Sequence, residues 1–492
     1  MHGVICTGLL GACFLLLRAG CWWQLAAGLY VMNMGLVGAY MAVHHLTGAG
    51  FNEAALYYLI SASWRDAFLL TAYPSLLFFG AVSAVLAFIF IKGVRRVRPR
   101  GILSMSNLSQ MLLVLGVSAF SLYMTPLTAD VIFSVKASGI NKKDSVGLSQ
   151  VLNENDMPEA LPGLKKNLII LYVESLESAF FDQQLFPGLL PRLNELAEQG
   201  VRFDRIEQSE ASGWTIAGMI STQCGVPLTS YRLDNQSHEF DKFSSGYVCL
   251  SNHLASQNYV NVYMGGASGA FAGKRNFYRS KGFDEILGLE ELGNSDSDSP
   301  RSRWGIYDDE LLPLIQQKIK ILRSGDSPFA LLALTLDSHP PEGFISPSCV
   351  KEGLRYGTGE RPHFDALRCT DKLVGDFLEE VIQENIHDST IVMLSDHTMM
   401  GSQAMEVLVE KKAPRHNHMV IWDKDLTPQR VHRLSSQFDV AATILQVLLG
   451  KSYKIGFGRS ILDTPPNLTE QFGIKTLDES ILAWRVKSWE KW

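Results

Sequence analysis

The chain has 492 residues, of which 47% are apolar and only 19% charged, with a formal net charge of −6. This excludes a disordered or collagen-like polymer and a small disulfide scaffold, and the length accommodates two to four domains of about 100–200 residues. Charge is unevenly spread: residues 1–128 hold seven basic and two acidic side chains, net +5, so the remainder carries net −11. An acidic remainder lacks the basic stripes that phosphate backbones require, so no nucleic-acid partner is expected.

Residues 1–17, 22–43, 67–91 and 102–124 contain no Asp, Glu, Lys or Arg. A hydrocarbon core needs about 20 apolar residues; the last three runs meet that length and the first lies at its lower limit. The expectation is a transmembrane domain of about four helices over residues 1–128. A secretory signal is a poorer reading of the first run, which lacks a basic leading region and a clear small-residue cleavage site. Lys92, Arg95, Arg96, Arg98 and Arg100 separate the third and fourth runs with no acid among them. Such loops stay cytoplasmic, which places everything after about residue 128 outside. The loop between the second and third runs contains FNEAALYYLISAS, either an interfacial helix or an ordinary connecting one.

Residues 129–166 are polar and irregular, with Gly139, Pro158 and Pro162, and read as a juxtamembrane linker. From Asn167 the pattern changes to short apolar runs, NLIILYVES, VRFDRIEQ, NYVNVYMGG, FALLALTLDSH and STIVMLSDH. Between them lie segments of helical length and period, including LPRLNELAEQG, GIYDDELLPLIQQKIKIL and ALRCTDKLVGDFLEEVIQEN. Continuous apolar strands alternating with helices predict an α/β domain with a mostly parallel sheet over residues 167–463. A C-terminal tail, residues 464–492, carries Trp484, Trp489 and Trp492. Cys224, Cys249, Cys349 and Cys369 form an even set in the outer part, as suits an oxidising compartment. Cys224 with Cys249 and Cys349 with Cys369 is the simplest of three possible connectivities.

Chemistry in such a sheet sits at the carboxyl ends of strands. Glu174 ends the first run, Asp337, Ser338 and His339 end another, and Ser395, Asp396 and His397 end a third. A single acid there is equally a solvated strand end or a helix cap, but carboxylate and imidazole together are ligands for zinc or manganese. In SEASGWTIAGMISTQCG, Ser212 and Gly213 precede a helical run and place Thr215 in its first turn. Unpaired N–H groups and the helix dipole favour an oxyanion at that position; the plainer reading makes Thr215 a cap. No P-loop, dinucleotide fingerprint or Gly-x-Ser-x-Gly elbow is present.

The ordered set VESLES, GWTIAGMISTQCGVPL, FAGKRNFYRSKGFDE, WGIYDDE, TLDSHPPEGFI and LSDH resembles the phosphoglycerol transferases of osmoregulated periplasmic glucans. These group with lipoteichoic acid synthases in the alkaline phosphatase and sulfatase superfamily. The resemblance covers the chain from about Asn167 to the tail, and the four-span membrane part fits it too. It implies that Glu174, Thr215, Asp396 and His397 hold one divalent metal ion, manganese as the expected ion and zinc as the other that suits these ligands, with Thr215 also the nucleophile. It implies further that His339 contacts the phosphoglycerol group. A Trp and an Arg lie near the glycerol pocket of lipoteichoic acid synthases; FAGKR lacks the Trp, and Lys274 or Arg275 takes the cationic role unless both are ordinary solvated charges. Trp304 and Asp308 are further candidates for the pocket, with core packing the alternative for the Trp. The implied reaction moves phosphoglycerol from phosphatidylglycerol in the outer leaflet of a bacterial inner membrane to a periplasmic glucan, releasing diacylglycerol. The rivals are a phosphoethanolamine transferase, a sulfatase-like hydrolase and a non-enzymatic envelope sensor. A sulfatase needs a C/S-x-P-x-R element, which Cys224-Gly-Val-Pro227 does not supply.

Overall fold

Asn167–Val173 forms strand β1, and six of its seven residues are buried. In the computed structural model, which describes residues 144–153, 166–228, 247–293 and 300–489, β1 lies inside a sheet and pairs in parallel with a neighbour on either side. Ile169 sits opposite Leu331 of β5 (Phe329–Leu334) and opposite Ile391 of β6 (Ser389–Ser395). The order continues through β3 (Val260–Gly265) and β4 (Glu285–Leu287) on the β5 side. On the β6 side follow β7 (Asn417–Trp422), β2 (Val201–Glu207) and β8 (Gln429–Val431), with β9 (Ser435–Ser436) also paired to β2. Only β7 runs antiparallel to its neighbours, so the carboxyl ends of β1, β2, β3, β5 and β6 share one edge.

Side chains alternate along β1 and meet a helical layer on each face. Ile169, Leu171 and Val173 join a core with Leu311 and Ile315 of helix Asp308–Arg323 and Phe364 and Leu378 of helix Pro362–Asn385. Tyr172 points the other way, where its hydroxyl meets Thr222 Oγ1 at 2.8 Å and accepts from Gln223 Nε2 at 2.6 Å, both on helix Thr215–Cys224. Strands covered on both faces need apolar residues at nearly every position, which is why β1, β5 and β6 do not alternate. Strand β2, with charged residues at four of its seven positions, does not follow that pattern.

Both disulfides of the simplest pairing are present. Cys224–Cys249 joins the end of helix Thr215–Cys224 to the start of helix Leu250–Ala255, and Cys349–Cys369 ties helix Pro347–Glu352 to helix Pro362–Asn385. The tail beyond Asp463 carries helices Leu468–Phe472 and Ile474–Trp489. Trp484 is buried there with its ring 5.2 Å from that of Phe457, and Ser480 Oγ lies 3.3 Å from Ser145 Oγ near helix Leu148–Asn153. The four apolar runs of residues 1–128 lie outside the described residues; among the described ones, no helix is long and apolar enough to cross a membrane.

Candidate active site

Glu174, Asp396 and His397 come together at the shared sheet edge, each offering one ligand atom within 4.8 Å of the others, and all three are buried. Ser175, in a left-handed conformation with φ 55°, holds them in place. Its N–H donates to Asp396 Oδ1 at 2.9 Å and its hydroxyl to Glu174 Oε1 at 2.8 Å. A residue held in that strained region turns its N–H in a direction a regular strand cannot reach. His397 Nδ1 faces the Thr398 carbonyl at 2.8 Å, so it carries the proton. That leaves Nε2 directed between Glu174 Oε1 at 3.3 Å and Asp396 Oδ2 at 3.4 Å.

Asp396 Oδ2 and His397 Nε2 are buried without a hydrogen-bond partner. Leaving such atoms unsatisfied costs about 1–3 kcal/mol each, more for charged groups. Burial alone would raise the Glu174 carboxyl, but the His397 imidazole outweighs it and holds the group well below the usual carboxylate range. Burial, then the Glu174 charge, pushes Asp396 up to about 7. Burial pulls His397 down, but the two carboxylates overcome it and raise the imidazole to about 10. The cluster thus holds a proton tightly where two carboxylates crowd, and a divalent cation in the same place satisfies both orphaned atoms. Two carboxylate oxygens and an imidazole nitrogen are a donor set that suits manganese or zinc.

Trp214 occupies the cap position of helix Thr215–Cys224, with φ −150° and ψ 159°. Thr215 is therefore the first helical residue and not the cap. It is half-buried, at the end where backbone N–H groups are unpaired. The helix is seated directly on the ligand strand. A Cβ on Gly218 would lie 1.9 Å from the Asp396 carbonyl oxygen, so only glycine permits that approach. Gln437 Nε2 donates to the same carbonyl at 2.9 Å and to Ser212 O at 3.5 Å, joining the loop before Thr215 to Asp396.

His339 stands on the loop after β5, half-buried, with Nδ1 2.6 Å from the Pro340 carbonyl. Burial lowers its basicity, so at neutral pH the ring is neutral and Nε2 presents a lone pair. Trp304 lies against it with ring centroids 4.7 Å apart, Phe271 packs edge-on to Trp304 at 5.5 Å, and Lys274 Nζ sits 5.6 Å from the Phe271 ring. These four residues make one wall. Lys274 is buried and makes no ion pair among the described residues; burial brings its ammonium down to about 8 against the pull of Glu174 and Asp396. Arg275, in contrast, is engaged by Glu290 at 3.2 Å and Glu291 at 2.8 Å.

Asp308 is fully buried beneath the His339 loop and accepts from Leu336 N at 2.8 Å and Asp337 N at 3.1 Å. Asp337 in turn accepts from the Asp308 N–H and the Ser346 hydroxyl. Buried His363 faces the Ser338 and Pro341 carbonyls at 3.0 and 3.2 Å. Asp308 and Asp337 thus shape the loop that presents His339. Sequence reasoning passed over Gln437, Ser175 and His363; Gln437 and His363 act on backbone far away in the chain and Ser175 ties its neighbour Glu174 to distant Asp396, so no local pattern marks them.

Residues 166–451 match the profile of the sulfatase family. The chain belongs to the sulfatase family. A curated relative named phosphoglycerol transferase I, from Xanthomonas campestris pv. campestris, is 33% identical over 483 residues; the match takes in 95% of this chain and 66% of the relative, just under two thirds of its length. Two solved structures superpose with TM-scores of 0.51. One is a protein of the alkaline phosphatase superfamily from Vibrio parahaemolyticus, 23% identical over 68% of this chain and 78% of its own. The other is a lipoteichoic acid synthase from Listeria monocytogenes, 15% identical over 70% of this chain and 98% of its own. At those identities the likeness is one of fold. Within this sulfatase-family domain Cys224 is committed to a disulfide, so it is not a free thiol for hydrolysis.

Proposed function

We propose that the chain transfers phosphoglycerol from phosphatidylglycerol to a hydroxyl of a periplasmic glucan, through an ester on Thr215. The observation that carries this reading is the seating of the Thr215 helix on the buried Glu174–Asp396–His397 cluster, with the Gly218 backbone against Asp396. Glu174, Asp396, His397 and the Thr215 hydroxyl would hold the metal, manganese being the expected ion and zinc the alternative. When bound, it supplies positive charge that lowers the pKa of a hydroxyl and offsets that of a phosphate.

The protein's own groups account for the remaining steps. Thr215 Oγ1 attacks phosphorus, its proton departs to the diacylglycerol oxygen, and the phosphorus–diacylglycerol bond breaks as the phosphorus–threonine bond forms. Helix N–H groups at Thr215 face the charge that builds on the phosphoryl oxygens. A sugar hydroxyl then gives its proton to a base and attacks the ester; the phosphorus–threonine bond breaks as the phosphorus–sugar bond forms, and the base returns the proton to the threonine oxygen. His339 Nε2, neutral and with its lone pair free, suits that base role. Lys274 supplies a fixed positive charge for the phosphate, while Trp304 and Phe271 offer apolar faces for the glycerol and sugar carbons. Arg275 and Asp308 act from behind, Arg275 on the Glu290–Glu291 segment and Asp308 on the His339 loop. Four helices from residues 1–128 would hold this domain on the periplasmic side of the inner membrane, beside a donor and a product that both stay in the bilayer.

The test is to incubate the full chain with headgroup-labelled phosphatidylglycerol, a β-glucoside and Mn²⁺. Label on the glucoside with equimolar diacylglycerol is expected, and EDTA should abolish both. Label that stays on phosphatidylglycerol while a parallel incubation with headgroup-labelled phosphatidylethanolamine labels the glucoside, or full activity of Thr215→Ala, would overturn the reading.

A further inference from the structure

Buried Glu177 and half-buried Arg415 form an ion pair that grips the chain two residues past His397. We propose that this pair is a positioning clamp that fixes the Asp396–His397 ligands against Glu174 and thereby sets the affinity of the site for its metal.

Glu177 is fully buried three residues after Glu174. Arg415 Nε donates to its two carboxylate oxygens at 2.8 and 2.6 Å. The same two side chains hold both backbone groups of Met399, because the Met399 N–H donates to Glu177 Oε1 at 2.7 Å and Arg415 Nη2 donates to the Met399 carbonyl. Between His397 and Met399, the Thr398 N–H is taken by Gln208 Oε1 at 2.6 Å and its carbonyl accepts from His397 Nδ1. Every backbone N–H from His397 to Met399 is therefore held by a side chain, the His397 N–H by Asp396 Oδ1 at 2.9 Å.

Position in the sheet gives the clamp its leverage. Glu177 follows β1, Met399 follows β6 and Arg415 precedes β7, so one ion pair joins the ends of three neighbouring strands. Backbone contacts reinforce the junction, since the Ser178 N–H donates to the His416 carbonyl at 3.0 Å and Glu177 bridges Asn417. Glu174 and His397 project from two of those strands, and their separation determines whether one ion can touch both. Burying a carboxylate such as Glu177 in an ion pair is a poor means of gaining stability alone, since desolvation offsets much of the attraction. A bidentate arginine does offer directional bonds to a carboxylate and a carbonyl at once, which no apolar side chain provides. Groups that orient metal ligands from behind typically change affinity by about 10–100-fold when removed.

The proposal rests on the metal site of the proposed function but not on its donor or acceptor. It is tested by titrating the full chain in detergent with Mn²⁺ alone and following free Mn²⁺ by electron paramagnetic resonance. Arg415→Met is expected to weaken binding by about tenfold or more. Arg415→Lys keeps the charge but not the two-way fork and should fall between. Glu177→Gln keeps an acceptor for the Met399 N–H and should lose less than Arg415→Met. Arg433→Met breaks a separate ion pair with Glu470 and serves as control: it should lower the melting temperature while leaving Mn²⁺ affinity unchanged. Binding by Arg415→Met within twofold of the wild type overturns the clamp. If that variant does not fold, Arg415→Lys decides, and unchanged affinity overturns the proposal. Wild-type protein that binds neither Mn²⁺ nor Zn²⁺ overturns both the clamp and the metal site, whereas one that binds metal but moves no phosphoglycerol fails the function alone.

Discussion

Lys274 keeps a buried ammonium without an acidic partner among the described residues, and burial brings it down to about 8. A metal ion held by Glu174 and Asp396 would cancel the carboxylate field that supports the ammonium and lower it further. Below that value Lys274 is charged and attracts a phosphodiester; above it the charge is lost. The expected outcome is a fall in kcat/KM for the donor as pH rises through this range, removed in Lys274→Met, which should be about 10²–10³-fold less active at pH 7. A pH profile of the variant parallel to that of the wild type would contradict this role. At this scale the sequence was legible where chemistry is unusual, as at Glu174, Asp396 and His397 ending apolar runs. It could not divide Lys274 from Arg275, because adjacent residues on a helix point about 100° apart and only the fold shows that one is buried within the field of Glu174 and Asp396 and the other meets Glu290 and Glu291. Nor could it show that Asp308 serves the backbone of Leu336 and Asp337, 28 and 29 residues along the chain.

Helix Thr215–Cys224 and strand β6 act as one element through Gly218, where a Cβ would collide with the Asp396 carbonyl at 1.9 Å. Backbone cannot yield as a flexible side chain does. Gly218→Ala is therefore expected to lower stability by about 1–3 kcal/mol and to reduce transfer far more than the lost stability explains, since the helix that carries Thr215 must lift from the ligand strand. A denaturant melt together with the donor assay checks this, and a variant of normal stability and activity would contradict the packing. Strands β1, β2, β3, β5 and β6, the long helices Asp308–Arg323 and Pro362–Asn385 and the short helix Pro191–Ala197 were readable from apolar run length and helical period. Strand β7 was not: NHMVIW is six residues following a short helix and a charged turn, and its antiparallel setting arises from pairing with β2 and β6, which no local pattern encodes. Helix Ile474–Trp489, which buries Leu477, Ile481 and Trp484, was likewise hidden, since a tryptophan-rich end reads the same whether it packs on Phe457 or lies free.

Across the whole molecule, charge divides the chain into a nearly uncharged stretch of 128 residues and an acidic remainder. The sulfatase-family domain lies in that remainder, and the proposed lipid donor gives the apolar stretch a purpose. Everything turns on Thr215, because metal ligands alone serve hydrolases and transferases alike. The most direct measurement is to incubate the full chain with phosphatidylglycerol and Mn²⁺ without acceptor, quench in acid, and map the modification by peptide mass spectrometry. The account predicts phosphoglycerol on Thr215, diacylglycerol released in equal amount, and loss of the adduct when a β-glucoside is added before quenching. Diacylglycerol released with no adduct at Thr215, or an adduct on another residue that persists in Thr215→Ala, would contradict it.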